Sequence, residues 1–233
     1  MKNDKSLSVS FMMPMYNEEA NIEKAILRLK NMSEKLTSDY EIVVVDDAST
    51  DGSKKIVERL ASKDSRIKLF CLAKNTKFGG AFAEGFSRST KDVIVYMDSD
   101  LPVSNDDIEA SFPMIYENDV VTGYSKVKKG DTLLRKFISQ SYNLMVRILY
   151  GLNVRDINSG YKIVRREIVK DLKFHSRSPF IDVEIFIHVK KKKGKVCQYP
   201  LIFESRKGGK SYIARIPVIL ATFRDMIKVR LLS

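Results

Sequence analysis

The sequence predicts an α/β protein, a mostly parallel sheet with helices on both faces. Three observations point there. Short apolar runs alternate with helical patterns through the first half of the chain. One run, Glu41-Ile42-Val43-Val44-Val45, is almost uniformly apolar after its first residue, as in a strand covered on both faces. Acid-rich, turn-forming clusters follow the runs directly, at the strand ends where open α/β sheets hold their ligands.

In chain order, Ser8 to Met13 reads as a strand and Glu18 to Met32 as a helix with Ile22, Ile26 and Leu29 at helical spacing. The apolar run at 41–45 is the second strand, followed by a loop and a helix from about Gly52 to Ser62. Ile67 to Leu72 is a third strand, Gly79 to Arg88 a third helix and Val93 to Met97 a fourth strand. The second half is less regular. Thr132 to Tyr150 has helical periodicity, with an apolar stripe of Leu134, Phe137, Ile138, Met145, Ile148 and Leu149. Val183 to Val189 and Val196 to Phe203 flank the basic run Lys190 to Lys195, and Ile216 to Leu232 mixes large apolar residues with Arg224, Lys228 and Arg230. No internal repeat or low-complexity linker marks off an independent domain.

The chain has 233 residues, 44% apolar and 30% charged, which suits a globular domain with a substantial core. No run approaches the ~18 apolar residues of a membrane span, and no leader-like segment opens the chain. Cys71 and Cys197 form neither a disulfide framework nor a metal pair, so a reducing, cytoplasmic compartment is expected. The net charge of +12 is unevenly spread. Residues 1–121 carry 16 Lys and Arg against 21 Asp and Glu; residues 122–233 carry 25 against 8. The first half suits a cation-organised site and the second an anionic partner.

Asp98-Ser99-Asp100 lies directly after the fourth strand. Two carboxylates two residues apart can share a hard cation such as Mg²⁺ or Mn²⁺, although an isolated D-x-D is more often a solvated turn. Asp46-Asp47 ends the second strand and runs into Ala48-Ser49-Thr50-Asp51-Gly52, where Thr50 and Asp51 read as a helix cap. Pro14-Met15-Tyr16-Asn17-Glu18 follows the first strand; its ring and carboxylate suit a nucleobase, or Asn17 simply caps the next helix.

Taken together, these clusters resemble the family-two glycosyltransferases of the GT-A (Rossmann-like) fold. The resemblance rests on Pro-x-Tyr-Asn-Glu at 14–18, Asp-Asp-x-Ser-x-Asp-Gly at 46–52, Asn75 with Gly79-Gly80-Ala81, and Asp98-x-Asp100. It continues through Arg135 and Ser139, Asp156-x-Asn158-Ser159-Gly160-Tyr161, Pro200-Leu201-x-Phe203 and Arg206-x-x-Gly209-Lys210-Ser211, a set similar to the polyprenyl-phosphate hexose synthases. The resemblance implies an inverting, metal-dependent transfer of a hexose, mannose first, to a polyprenyl phosphate of the dolichyl type. It implies that Pro14, Tyr16, Glu18, Val45 and Asp47 line a nucleoside pocket. Asp98, Ser99 and Asp100 would meet ribose, diphosphate and a Mg²⁺ or Mn²⁺ ion, with Asp98 and Asp100 as its ligands. Arg135, Ser139 and Arg206, with Lys210, would meet the acceptor phosphate, and Asp100, Arg135 and Arg206 would be the catalytic residues. The chain departs from the family at Pro102, where a Gln ligand is usual, at Lys77 in place of a Gly, in lacking an Arg after Gly123 (Lys126 is close by), and at Tyr212 in place of a Lys.

The expected donor is GDP-mannose or UDP-glucose and the expected acceptor a polyprenyl-phosphate lipid, reached from the cytoplasmic face of a membrane whose anionic surface the protein binds peripherally. Nucleic acid is not an expected partner, and a membrane-anchored partner protein is an open possibility. By spacing alone, Arg135, Ser139, Asn143 and Arg147 share one helix face and suit a solvated surface; the resemblance assigns Arg135 and Ser139 to the acceptor. A phosphate nucleophile needs no general base, whereas a hydroxyl acceptor would leave Asp182 and Glu184 as candidates. His175 and His188 lie outside the motifs and read as structural or surface residues. The expected organisation is a glycosyltransferase domain over 1–212, with 1–121 as its nucleotide-sugar half and 122–212 as its acceptor half, followed by an amphipathic interfacial segment over 213–233. Two distant alternatives remain: a nucleotidyltransferase could use similar acidic loops, but no Gly-rich, Lys-containing phosphate loop lies near the N-terminus, and a basic nucleic-acid-binding protein would explain the basic second half but not the acidic strand ends.

Overall fold

Successive apolar side chains of a buried strand point to opposite faces, and the computed structural model shows both faces covered. It describes residues 7–99, 103–126, 133–202 and 216–232, the side chains of 133–138 excepted. The first half alternates β1 (Val9–Met15), α1 (Ile22–Leu36), β2 (Tyr40–Asp46), α2 (Ser53–Ala61), β3 (Ile67–Cys71), α3 (Lys77–Arg88) and β4 (Val93–Met97). Then come α4 (Asn105–Ser111), a 3-10 turn over Phe112–Tyr116, β5 (Val120–Ser125), α5 (Leu133–Tyr150), β6 (Tyr161–Arg165), α6 (Arg166–Val169), α7 (Ile181–Lys191), β7 (Val196–Leu201) and α8 (Ile216–Leu232).

The strands form one sheet in the order β3-β2-β1-β4-β6-β5-β7. β6 runs antiparallel to both its neighbours, while β1–β2, β1–β4, β2–β3 and β5–β7 pair in parallel. On one face Phe11, Met13, Ile42, Val44 and Val95 meet Ile22, Ile26 and Leu29 of α1, Val57 of α2 and Ile108 of α4. On the other, Met12, Val43, Val45, Ile94 and Val164 meet Phe82 and Phe86 of α3, Ile181 and Ile185 of α7, and Met226 and Val229 of α8. The expected halves share this sheet: β5 straddles residue 121, and β6 lies between β4 and β5.

Three expectations about local structure are corrected. The first helix begins at Ile22 rather than Glu18; the backbone amides of Asn17, Glu18 and Glu19 bind Ser49, Ser53 and Asp51, which ties the segment before the helix to the loop after β2. Asn17 therefore caps nothing. It takes a left-handed φ of 54°, and its Oδ1 accepts from Thr50 N at 2.8 Å. The apolar stripe of α5 is also different. Tyr142, Met145, Val146 and Tyr150 pack inward, while Ile148 is 71% and Leu144 55% exposed. A helix apolar on two sides is oriented by its partners, here Phe180, whose ring lies 5.7 Å from that of Tyr150, and the Met226 carbonyl, which accepts the Tyr150 hydroxyl.

The glycine pair at the start of α3 has a packing cause. Gly79 N donates to Arg177 O at 3.1 Å, and a Cβ on Gly79 would stand 2.6 Å from the Arg177 backbone carbon. Only glycine allows this approach, which ties α3 to the loop preceding α7.

Candidate active site

Strand direction decides where the polar motifs meet. The C-terminal ends of β1–β5 and β7, and the N-terminal end of antiparallel β6, all lie along one edge of the sheet. β2 and β3 build outward from one side of β1 and β4 sits on the other, so the crevice expected at such a reversal opens beside β1 and β4.

Two loops at this edge are laced together. Asn17 N donates to Ser49 Oγ at 3.0 Å, Glu18 N to Ser53 Oγ at 2.8 Å and Gly52 N to Glu19 Oε2 at 2.9 Å. Asp51 Oδ1 accepts from Ser53 N at 3.0 Å in a local turn ahead of α2, whose N-cap position is Gly52 rather than Thr50 or Asp51; Thr50 binds Asn17 instead. Many motif side chains are thus spent on holding the loops. Tyr16 is left 47% exposed beside them, and Glu18 is half-buried.

At the end of β2, Asp46 and Asp47 are both buried. Asp46 Oδ1 accepts from Ser49 N, and Asp47 Oδ1 accepts from Thr76 N at 2.6 Å and Thr76 Oγ1 at 2.8 Å. Burial pushes the Asp47 carboxyl up, against these bonds. Pro14 belongs to β1 itself, in register with Val45, and is half-buried. Val45 is 0% exposed and packs in the layer with Ala81 and Phe82, so its side chain backs the site from within the core.

Asp98 leaves the end of β4 half-buried, with its carboxylate accepting from the Tyr96 hydroxyl and its amide donating to Gly160 O at 3.2 Å. Ser99 is 8% exposed. Asp100, Arg206 and Lys210 lie outside the described residues, as does the side chain of Arg135, whose backbone belongs to the first turn of α5. Among the described residues no group of three His, Cys, Asp or Glu converges on a metal site. The donor set expected at Asp98 and Asp100 is hard carboxylate oxygen, which fits Mg²⁺ or Mn²⁺; the described part of it is Asp98.

Below Asp98 lies a group that the motif reading missed. Lys162 of β6 is 0% exposed, donates to Asp182 Oδ1 of α7 at 2.8 Å and to Ser159 O, and its Nζ lies 5.4 Å from the Tyr96 ring centroid. The sequence signal was a lysine two residues before Val164, on a face that otherwise packs apolar side chains. Asp182 and Glu184, the alternative bases, are both buried and engaged. Glu184 accepts from the amides of His175 and Ser176, each at 2.8 Å. Burial pushes the Asp182 carboxyl up while the Lys162 charge pulls it down.

On α5, Ser139 is half-buried, Asn143 Nδ2 donates to Arg155 O at 3.3 Å and Arg147 is exposed. Tyr124, Ser125, Lys126, Arg155 and Asp156 line an open cleft of about 500 Å³, with the Arg155 guanidinium 4.7 Å over the Tyr124 ring. His175 and His188 line a separate hollow of about 220 Å³ that none of the motif residues enters.

A mostly parallel seven-stranded sheet with helices on both faces and carboxylates at its strand ends has the GT-A architecture. Solved structures of Mycobacterium tuberculosis glucosyl-3-phosphoglycerate synthase share it. One, in complex with Mn²⁺, UDP-glucose and phosphoglyceric acid, has a TM-score of 0.76 at 16% identity, covering 98% of this chain and 81% of that one. Another, with Mn²⁺, UDP and phosphoglyceric acid, has a TM-score of 0.74 at 18% identity, covering 99% and 79%. Glycosyl transferase family 2 matches over residues 10–173. The chain belongs to that family. The undecaprenyl-phosphate 4-deoxy-4-formamido-L-arabinose transferases are similar to it: that of Yersinia pestis is 31% identical over 183 residues, and that of Pectobacterium atrosepticum 30% over 179. These alignments cover 78% and 76% of this chain but 56% and 54% of the relatives, so the chain spans little more than half their length.

Proposed function

We propose that the chain transfers a sugar from a nucleoside-diphosphate sugar to the phosphate of a polyprenyl lipid, inverting the anomeric carbon in one in-line displacement. The observation that supports this best is the shared sheet edge, which carries the carboxylates at the ends of β2 and β4 and, at the end of β5, the cleft lined by Lys126 and Arg155. A phosphate monoester has a second pKa of about 6 and reaches the site already ionised. That nucleophile suits a site whose neighbouring carboxylates, Asp182 and Glu184, are committed to buried protein groups. A Mg²⁺ or Mn²⁺ ion at Asp98 and Asp100 would neutralise charge on the departing diphosphate. Tyr16, Glu18 and Asp47 surround the nucleoside, and Arg135, Ser139, Arg206 and Lys210 hold the acceptor phosphate.

The relatives' name supports the acceptor class, and the ligands of the solved neighbours support the donor class and the metal. For the sugar, the motifs favour a hexose, with GDP-mannose as the first donor. UDP-glucose or another UDP-sugar is the second reading, favoured by the UDP in the neighbours. Thermal stabilisation by a panel of nucleotide-sugars with Mn²⁺ separates the two, since a donor at a hundred times its Kd adds about 2.7 kcal/mol. The matching donor should then yield lipid-linked sugar on undecaprenyl phosphate. Transfer to a glycan hydroxyl and not to the lipid would overturn the reading.

We assign residues 1–121 to the donor, 122–212 to the acceptor and 213–233 to a membrane surface. Arg135→Ala and Arg206→Ala are expected to lower acceptor efficiency about ten- to a hundredfold, the value of a charge-assisted phosphate contact, with little change in nucleotide affinity. Steady-state kinetics with each substrate varied in turn checks this. An equal loss of nucleotide-sugar affinity, with unchanged acceptor kinetics, would refute the assignment.

No helix among the described residues is long and apolar enough to cross a membrane. α8 packs inward through Val218, Thr222, Met226 and Val229 and leaves Ile216, Leu220, Ile227 and Leu231 between 59% and 82% exposed, beside Arg224, Lys228 and Arg230. Such a face suits an anionic bilayer on the cytoplasmic side, where each basic residue contributes about 1 kcal/mol. Deleting α8 would test this poorly, because Asp225 also accepts the amides of Arg177 and Ser178. Replacing Leu220 and Leu231 with Ser should instead abolish flotation with anionic liposomes at an unchanged melting temperature. Equal flotation of both proteins would refute lipid contact by this face. Failure of the wild type to float would point to a membrane-anchored partner protein.

A further inference from the structure

The ion pair under the site joins four parts of the chain in an otherwise apolar layer. Lys162 is the cross-strand partner of Tyr96 on β4 and of Thr122 on β5. Its ammonium is held by Asp182 on α7 and by the carbonyl of Ser159, in the loop entering β6. From there two routes lead to Asp98. Through the side chains, the Lys162 ammonium sits over the Tyr96 ring, and the Tyr96 hydroxyl donates to the Asp98 carboxylate. Through the backbone, Lys162 holds Ser159, and the next carbonyl, Gly160 O, accepts the Asp98 amide. The same loop carries Arg155 and Asp156 into the cationic cleft.

We propose that Lys162, Asp182 and Tyr96 form a positioning unit that orients the Asp98 carboxylate and fixes it relative to the loop at 155–160. The inference rests on the reading of Asp98 as the donor-side metal carboxylate. A charge pair this deep is weak support for stability in itself, since apolar residues of similar volume commonly replace such pairs at little cost. A role in orienting a functional carboxylate explains its place under the strand end. The unit acts on orientation alone: Lys162 and Asp182 reach no substrate, and Tyr96 reaches Asp98 through one hydrogen bond.

Two variants test the proposal without stranding a charge. Tyr96→Phe keeps the ring packed at 4.8 Å on Phe82 and removes only the hydroxyl. The double variant Lys162→Met, Asp182→Leu removes both charges together. Full-length proteins are titrated with Mn²⁺ alone, with Mn²⁺ plus UDP or GDP, and with each nucleotide without metal, reading bound Mn²⁺ by electron paramagnetic resonance and folding by melting temperature. Both variants are expected to melt close to the wild type and to bind nucleotide without metal as it does. Both should lose about tenfold or more in Mn²⁺-dependent affinity, the usual effect of removing a residue that orients a metal ligand. Wild-type Mn²⁺ affinity in either variant would overturn the positioning role. If the wild type itself shows no Mn²⁺-dependent nucleotide binding, or Asp98→Ala binds equally well, the reading of the site fails instead.

Discussion

Asp98→Ala is expected to abolish sugar transfer while leaving the fold intact, and Asp100→Ala to do the same. Asp98 stands at the end of β4, half-buried, and contributes to neither core cluster, so its loss opens no cavity. Its removal takes away the strand-end oxygen proposed for the metal and the hydrogen bond from the Tyr96 hydroxyl. Losing a residue that merely orients a ligand costs ten- to a hundredfold, so losing the ligand should cost more than about a hundredfold in kcat/KM. The same loss should follow in the wild type on adding chelator and reverse on restoring Mn²⁺ or Mg²⁺. Transfer at the wild-type rate by Asp98→Ala, or by wild type in chelator, would end the metal reading.

Lys162→Met should be the most destabilising single substitution in the site, at about 3–5 kcal/mol, because it strands the Asp182 carboxylate in the core without its counter-ion. For a chain of this size each kcal/mol shifts the melting temperature by about 2–4 °C, so a fall of roughly 6–20 °C is expected. Burial already pushes the Asp182 carboxyl up, and without Lys162 it should take up a proton. A group with a raised folded-state pKa contributes least above that pKa, so the variant should lose stability further as pH rises and recover part of it in acid. Adding Asp182→Leu should restore most of the loss. Melting of the single and double variants across pH checks this; a single variant as stable as the wild type would show that the pair is not coupled.

Strand-helix alternation and the motif positions were legible in the sequence because both are local. β4 occupies Val93–Met97 as expected from its apolar run, and β2 and β3 differ from expectation by a residue or two. β5 and β6 carried no such signal. Tyr161-Lys162-Ile163-Val164-Arg165 reads as a mixed segment, and only its pairing between β4 and β5 makes it a buried strand. Asn17, Ser49, Thr50, Asp51 and Ser53 look like caps and turn residues. Their role is to lace two loops whose sequence separation exceeds thirty residues, and no local pattern could reveal those bonds.

The sequence by itself determined the fold class, the order of the acidic strand ends, the family and the split of charge between the halves. Each of these depends on residue type and near-neighbour spacing. Tertiary structure alone decided which charged residues face the site and which serve the core. Asp182 and Glu184 were candidate bases until the layer beneath α7 enclosed them, and Lys162 carried no motif until pairing set it beside Tyr96. It also decided which apolar side of α5 and α8 packs inward. The physical reason is common to both cases: burial and ion pairing depend on what the rest of the chain brings within a few ångströms, and periodicity specifies a face without specifying its partner.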